Sequence, residues 1–265
     1  ILRAVEQSAP GLIKCYRSRP LLDQPLLPRS TDCAETRRCL YLKFLGFFMK
    51  TIWKNWENLQ ERLAQAAQRA GRDLREITVV AVTKTRTPAE IEAALRSGIH
   101  IVGENRIQEA EAKKDQVKAA AQWHLIGHLQ TNKAKKAVDL FDLVQSVDSI
   151  RIATALDSRA AQAGRILDIL LQVNTSGVAH QAGASPEALE ELVGQIAGLS
   201  HLRIQGLMTI GALSTDESLV RSCFARLRQL RDQILAASMD GVEMKYLSMG
   251  MSGDFELAIA EGANM

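Results

Sequence analysis

The sequence predicts an α/β fold, a TIM-type (β/α)8 barrel whose eighth strand is missing from the chain. Three observations predict it. From Met49 onward strand and helix alternate without exception, the pattern of a parallel sheet with right-handed crossovers. The first strand, Ile77-Thr78-Val79-Val80-Ala81-Val82-Thr83, is a near-continuous apolar run, as burial on both faces requires. No glycine-rich phosphate turn follows it, and a doubly wound open sheet, the competing architecture, would want one.

Residues 1–48 stand apart from the body that follows. They hold Pro10, Pro20, Pro25 and Pro28, three of the four cysteines, and no sustained helical or strand period. They read as a mostly disordered or non-native extension, with 49–265 as the folded domain. A helix is expected over 51–70, with Trp53, Trp56, Leu59, Leu63 and Ala67 near one stripe and Gly71 beyond its end. The first strand ends on Lys84. Thr87 is then a natural N-cap, Pro88 fits the first helical position, and Glu90 completes a capping box for a helix over 88–97.

The later units repeat this plan. Strands are expected over 100–105, 122–127, 142–147, 166–174, 201–210 and 245–249. The helices between them are expected over 106–120, from Thr131, over 149–163, from Ser185-Pro186-Glu187 to about 198, and over 216–237. A last helix is expected over 254–261. Seven βα units are countable, and an eighth strand would begin about where Met265 stands.

Bulk composition excludes several function classes. Hydrophobic content of 46% with 24% charged residues is ordinary for a globular protein, and no apolar run is long enough to span a bilayer as a helix. Cys15, Cys33, Cys39 and Cys223 form no Cys-x-x-Cys pair, so neither structural zinc nor a disulfide framework is indicated, and a reducing, cytoplasmic setting fits. The net charge of +3 is carried by residues 1–48, which hold +4, while the body holds −1. A nucleic-acid face on the body is not indicated. The chain is expected to act as a monomer.

In a barrel the carboxyl ends of the strands face the site. Found there are Lys84, Asn105, His124, Ser146, Asn174 to Gly177, Met208-Thr209, and Ser248-Met249-Gly250-Met251-Ser252. Among them are no carboxylate pair for glycosidic acid–base work, no metal-spaced His/Asp/Glu set and no Gly-x-Ser-x-Gly elbow. Lys84 has two readings: a strand-end cation that snorkels to solvent, or a partly desolvated amine that attacks a carbonyl. The Ser248–Ser252 stretch also has two. It is a plain turn into a helix, or an anion site built from free backbone N–H groups, the helix dipole and serine hydroxyls. Lysine facing a phosphate cup is the layout of pyridoxal 5′-phosphate in a barrel. His124 would lie beside the cofactor ring or be a satisfied core residue.

These residues resemble a known family, the pyridoxal phosphate homeostasis proteins, single-domain relatives of the alanine racemase N-terminal barrel. The matching stretches are Ala81-Val82-Thr83-Lys84-Thr85, Gly103-Glu104-Asn105, Trp123-His124-Leu125-Ile126-Gly127-His128, Val173-Asn174-Thr175-Ser176-Gly177, Gly206-Leu207-Met208-Thr209 and Leu247-Ser248-Met249-Gly250-Met251-Ser252. The resemblance covers residues 49–265. It implies a barrel holding pyridoxal phosphate as an internal aldimine on Lys84. Ser248, Met249, Gly250 and Ser252 would be at the phosphate, and Asn105, His124 and Met208 would line the pocket. It implies carriage and regulation of the cofactor and of amino-acid pools, without an established catalytic reaction, and pyridoxal-dependent apoenzymes as recipients.

Two departures from the family pattern stand out. A last strand with an Arg-x-Gly pattern lies beyond Met265 in the family, and a lysine usual after the Asn174–Gly177 turn is Gln181 here. The rival functions are a racemase-like pyridoxal enzyme acting on small amino acids and a cofactor-free Schiff-base barrel of the aldolase kind.

Overall fold

A computed structural model describes residues 32–239 and 241–265, with side chains from Met49 onward. Helix α1 runs Asp32–Arg69, so it opens well before residue 51, where the sequence placed its start. Pro28 is the last proline before Pro88, and the residues after it include the helix formers Ala34, Glu35, Arg37, Arg38, Leu40 and Leu42, so nothing local stops the helix. The expectation for residues 1–31 lies outside the described residues. The boundary between the chain's two compact units falls inside α1, after Glu61. Along α1 the buried stripe is Ile52, Trp56, Leu63 and Ala67, while Trp53 is half exposed and donates its indole N–H to Glu57 at 2.6 Å. Trp53 was expected on the stripe; Ile52, four residues and about one turn before Trp56, takes that place.

The second unit, residues 62–265, holds the sheet. Its elements are β1 (Val80–Val82), α2 (Pro88–Arg96), β2 (Ile101–Glu104), α3 (Ile107–Lys114), β3 (Gln122–Leu125), α4 (Ala134–Leu140) and β4 (Leu143–Val147). Then come α5 (Ile150–Gln162), β5 (Leu167–Gln172), α6 (Leu189–Ala197), β6 (Leu202–Met208), α7 (Glu217–Ala236), β7 (Val242–Ser248) and α8 (Phe255–Ala260). The seven strands are all parallel and pair in sequence order, β1 through β7. This is the barrel progression, and no eighth strand is present among the described residues. The capping box is formed: the Thr87 hydroxyl accepts from Glu90 N–H at 3.3 Å and the Glu90 carboxylate accepts from Thr87 N–H at 2.6 Å. None of these described helices is long and apolar enough to cross a membrane.

Residues 263–265 lie along β7. Met265 N–H donates to Leu247 O, and Met249 N–H donates to Met265 O at 3.1 Å, which is the bond pattern of a parallel ladder. The Asn264 carbonyl accepts from Thr78 N–H at 2.9 Å, so the same residues reach the segment leading into β1. The β1 strand is shorter than expected, and Val82 is 41% exposed where burial on both faces was predicted. The reason is that Val80–Val82 has a ladder partner only in β2.

Two glycines show how tightly the strands are set. A Cβ on Gly206, whose φ is 152°, would stand 2.0 Å from the Tyr246 carbonyl of the neighbouring strand. A Cβ on Gly194, on the open face of α6, would meet nothing within 4 Å. Gly206→Ala should therefore lose about 3 kcal/mol or more. Gly194→Ala should gain about 0.5–1 kcal/mol by helix propensity alone. Urea unfolding of the two variants checks both signs.

Candidate functional site

The site is built from strand ends. Residues Val82, Gly103 and His124 are register partners across β1, β2 and β3, so the Val82 and His124 side chains share the inner face of the sheet. Lys84 follows β1 in phase with Val80 and Val82. It sits in a turn, is solvent-exposed, and makes no hydrogen bond or ion pair among the described residues. The residue after it, Thr85, has φ 63°, a left-handed conformation that costs a β-branched residue about 1 kcal/mol or more. Its N–H donates to the Glu109 carboxylate at 2.8 Å, which supports the turn. Asn105 follows β2 and is half-buried. A Cβ on Gly127 would stand 2.1 Å from the Asn105 carbonyl, so glycine is what lets the β2 and β3 loops lie together.

Inside the barrel a polar chain runs from β7 to β3. The Ser248 hydroxyl donates to Gln145 Oε1 at 2.6 Å, and Gln145 Nε2 donates to His124 Nδ1 at 2.9 Å. That direction leaves the imidazole proton on Nε2. His124 is 3% exposed, and burial pushes its pKa down to about 4, against a smaller upward pull from Asp142. It is therefore a neutral, oriented ring. Gln145 was not singled out from sequence, although one glutamine in Leu143-Val144-Gln145-Ser146-Val147, a strand buried along its whole length, was the available signal. Met208 ends β6 and packs with Leu143 and Leu170, with Tyr246 and Met265 partly buried against them. These side chains form an apolar layer within the barrel.

The turn after β7 is held open by its backbone. Gly250 has φ 90°, and a Cβ there would stand 2.6 Å from the Ala258 Cβ. Met249 is buried, with its N–H on Met265 O, and Met251 and Ser252 are exposed. The Asp254 carboxylate accepts from Met251 N–H, while the N–H groups of Gly250, Ser252 and Gly253 have no acceptor among the described residues. Helix α8 has only six residues, so what the turn offers an anion is these amides more than a macrodipole. Two neighbouring loops are tied together. Gln181 accepts from the Ser176 hydroxyl and donates to the Gly211 carbonyl at 2.9 Å, joining the loop after β5 to the loop after β6.

A cavity of about 300 Å³ opens at the amino ends of the strands, the opposite end from Lys84. Among its charged walls Arg203 is paired with Asp168 at 2.7 Å. In the Lys-rich stretch Lys133–Lys136, Lys136 is paired with Glu111 at 2.7 Å. No group of three or more His, Cys, Asp or Glu side chains among the described residues is arranged to hold a metal ion.

Comparison with known proteins fits this geometry. Residues 55–265 match the family model described as alanine racemase, N-terminal domain. The pyridoxal phosphate homeostasis protein of Pseudomonas aeruginosa is 37% identical over 216 residues, covering 81% of this chain and 91% of the relative. A structure of an unknown protein from Bifidobacterium adolescentis superposes with TM-score 0.79 at 39% identity, covering 82% of this chain and 92% of that one. PipY of Synechococcus elongatus, in a structure with PLP bound, gives TM-score 0.68 at 37% identity, covering 77% of this chain and 94% of PipY.

The neutral His124 makes stability pH-dependent. Its pKa falls on folding from the ordinary value of 6.5 to about 4, so only the unfolded chain takes up the proton between those values. The stability gained by keeping the ring neutral is present above about pH 6.5 and is lost as pH falls toward 4. Between about pH 7 and about pH 5 this one group should remove about 2 kcal/mol. In urea titrations at the two pH values, His124→Gln should shrink the difference by that amount.

Proposed function

The chain belongs to the alanine racemase N-terminal domain family, and on that footing we propose that it binds pyridoxal 5′-phosphate through Lys84 and serves its homeostasis. The observation that carries the reading is the pairing of two unspent groups. Among the described residues, an amine without a partner stands after β1 and a turn with unused amides stands after β7. Residues 263–265 are bonded to both β7 and the segment before β1, so the two groups flank one stretch of chain. PipY, with PLP bound in its structure, shares the fold at 37% identity, which supports the same ligand here.

In this reading Lys84 supplies the amine. Gly250 and Ser252 give amide N–H groups to the phosphate, Ser252 adds its hydroxyl, and Met249 holds the turn's root. Ser248 acts from below, since its hydroxyl is engaged by Gln145, and through that amide it orients His124. Asn105, His124 and Met208 line the pocket. When bound, the cofactor's aldehyde condenses with an amine, C=O becoming C=N with loss of water, so attachment is covalent, reversible and fixed by borohydride.

The role we assign is to hold and release the cofactor rather than to turn over a substrate, with pyridoxal-dependent apoenzymes as recipients. We place the chain in the cytoplasm, acting as a monomer. The name borne by the Pseudomonas aeruginosa relative supports the homeostatic role.

The test is the visible spectrum with added pyridoxal phosphate, before and after borohydride. A yellow band that reduction fixes to the Lys84 peptide and that Lys84→Ala lacks is the expected result. Folded protein with no such band would sink the reading. Ser252→Ala should raise Kd about tenfold by removing a hydrogen bond to a charged group, without loss of stability. A racemase-like enzyme would instead exchange the α-hydrogen of small amino acids with solvent in a Lys84-dependent way, and the carrier reading expects none.

A further inference from the structure

Lys113 bonds the carbonyl of the residue before Lys84 and the carboxylate that accepts the N–H of the residue after it, and we propose that Lys113, held between Glu104 and Glu109, is the positioning residue that aims Lys84 at the cofactor. The inference rests on the function proposed above for Lys84.

Lys113 is 8% exposed and spends its three N–H donors at once: on Thr83 O at 3.0 Å, Glu104 Oε1 at 2.9 Å and Glu109 Oε2 at 3.1 Å. Glu104 is wholly buried, and its Oε1 also accepts from the Thr83 hydroxyl at 2.7 Å. The residue before Lys84 is thus gripped by main chain and side chain together. On the far side Glu109 Oε2 takes the N–H of Thr85, the residue in the left-handed conformation. Glu109 and Lys113 are four apart on α3, so one helix face holds the turn on both sides of Lys84.

A network of this kind is a poor way to gain stability alone. A buried ion pair is often matched or bettered by apolar side chains of the same volume. This one also leaves Glu104 Oε2 buried with no partner among the described residues, a defect a core would ordinarily remove. What the charges add is direction. A lysine ammonium that must satisfy two carboxylates and a carbonyl has one place to sit, and the Thr83–Thr85 backbone is registered against it. The arrangement fixes where the Lys84 side chain starts, and a misaimed nucleophile captures its target poorly. Arg106 adds a further positive charge near Glu109.

Glu109→Ala tests the proposal, because it frees Thr85 N–H and leaves the Glu104–Lys113 pair in place. Two probes separate aiming from general damage: pyridoxal phosphate, and pyridoxine 5′-phosphate, whose alcohol an amine cannot capture. Glu109→Ala should weaken pyridoxal phosphate about tenfold and slow borohydride fixation to Lys84, while pyridoxine phosphate stays within about twofold of wild type. Glu109→Gln, which keeps an acceptor for Thr85, should restore most of the loss. Equal weakening of both probes, or of neither, overturns the proposal. Should Glu109→Ala not fold, the apolar pair Glu104→Leu with Lys113→Met removes the Thr83 anchors and must show the same split between probes, or the proposal fails. Wild-type protein that does not bind pyridoxal phosphate overturns the function reading, and this inference with it. Normal capture by wild type and by folded variants alike overturns this inference alone.

Discussion

The structure depends on the alternation forced on a parallel strand packed between two layers. Consecutive side chains must leave on opposite faces, and neighbouring strands in register must agree on which face is which. From β1 the odd choice falls to Thr83, whose hydroxyl goes to Glu104 and whose carbonyl takes a bond from Lys113 on α3. Val80, Val82 and then Lys84 belong to the other phase, the one shared with Gly103 and His124. A slip of one residue between β1 and β2 would exchange the two sets. It would put a carboxylate in the barrel and the amine against the helix.

The inner face carries polar groups, and those of the Ser248–Gln145–His124 chain survive burial because each bonds to the next. Gln145 accepts from Ser248, donates to His124, and also lies 3.3 Å from the Met265 sulfur. An imidazole buried this deeply could be charged only at considerable cost, which is why burial outweighs Asp142 in setting its pKa. The result is a ring with a fixed tautomer and no charge. Residues 263–265 do comparable work on the backbone. Asn264 gives its carbonyl to Thr78, its side-chain oxygen to Leu247 N–H and its side-chain N–H to Lys245 O, so one residue ties β7 to the segment before β1.

The order of elements was legible because buried parallel strands and amphipathic helices write different periods into the chain. The α2 cap was legible to the residue, since Thr87, Pro88 and Glu90 each have a local reason to be there. Strand ends were harder: β1 and β2 are shorter than the strands expected from sequence, because ladder partners decide where a strand stops, and partners are not local. The early opening of α1 has a local reason instead, since no proline stands between Pro28 and Pro88. At the strand ends, positions along the chain were legible and partners were not. Lys84, His124 and Ser248 stand at or near the predicted strand ends. That Ser248 would face Gln145, or that Glu104 would meet Lys113, is a matter of which face each residue takes after folding.

Charge around the candidate site is arranged by the same partition. Glu104 and Glu109, the acids bonded to the residues on either side of Lys84, are both paired with Lys113 of α3. Arg86, two residues on, is paired with Glu90. Asp168 and Arg203 are at the other end of the strands, paired with each other. Lys84 is left exposed, where its field is screened by water and salt. An exposed amine in high dielectric attracts an anion weakly, by about 1 kcal/mol at contact distance. Affinity at such a site must then come from directed donors and from a bond the amine can make, and both depend on where the backbone puts them. That is why the rigid parts of this molecule, the Thr83–Thr85 anchors and the glycine turn at Gly250, matter more to the site than its net charge.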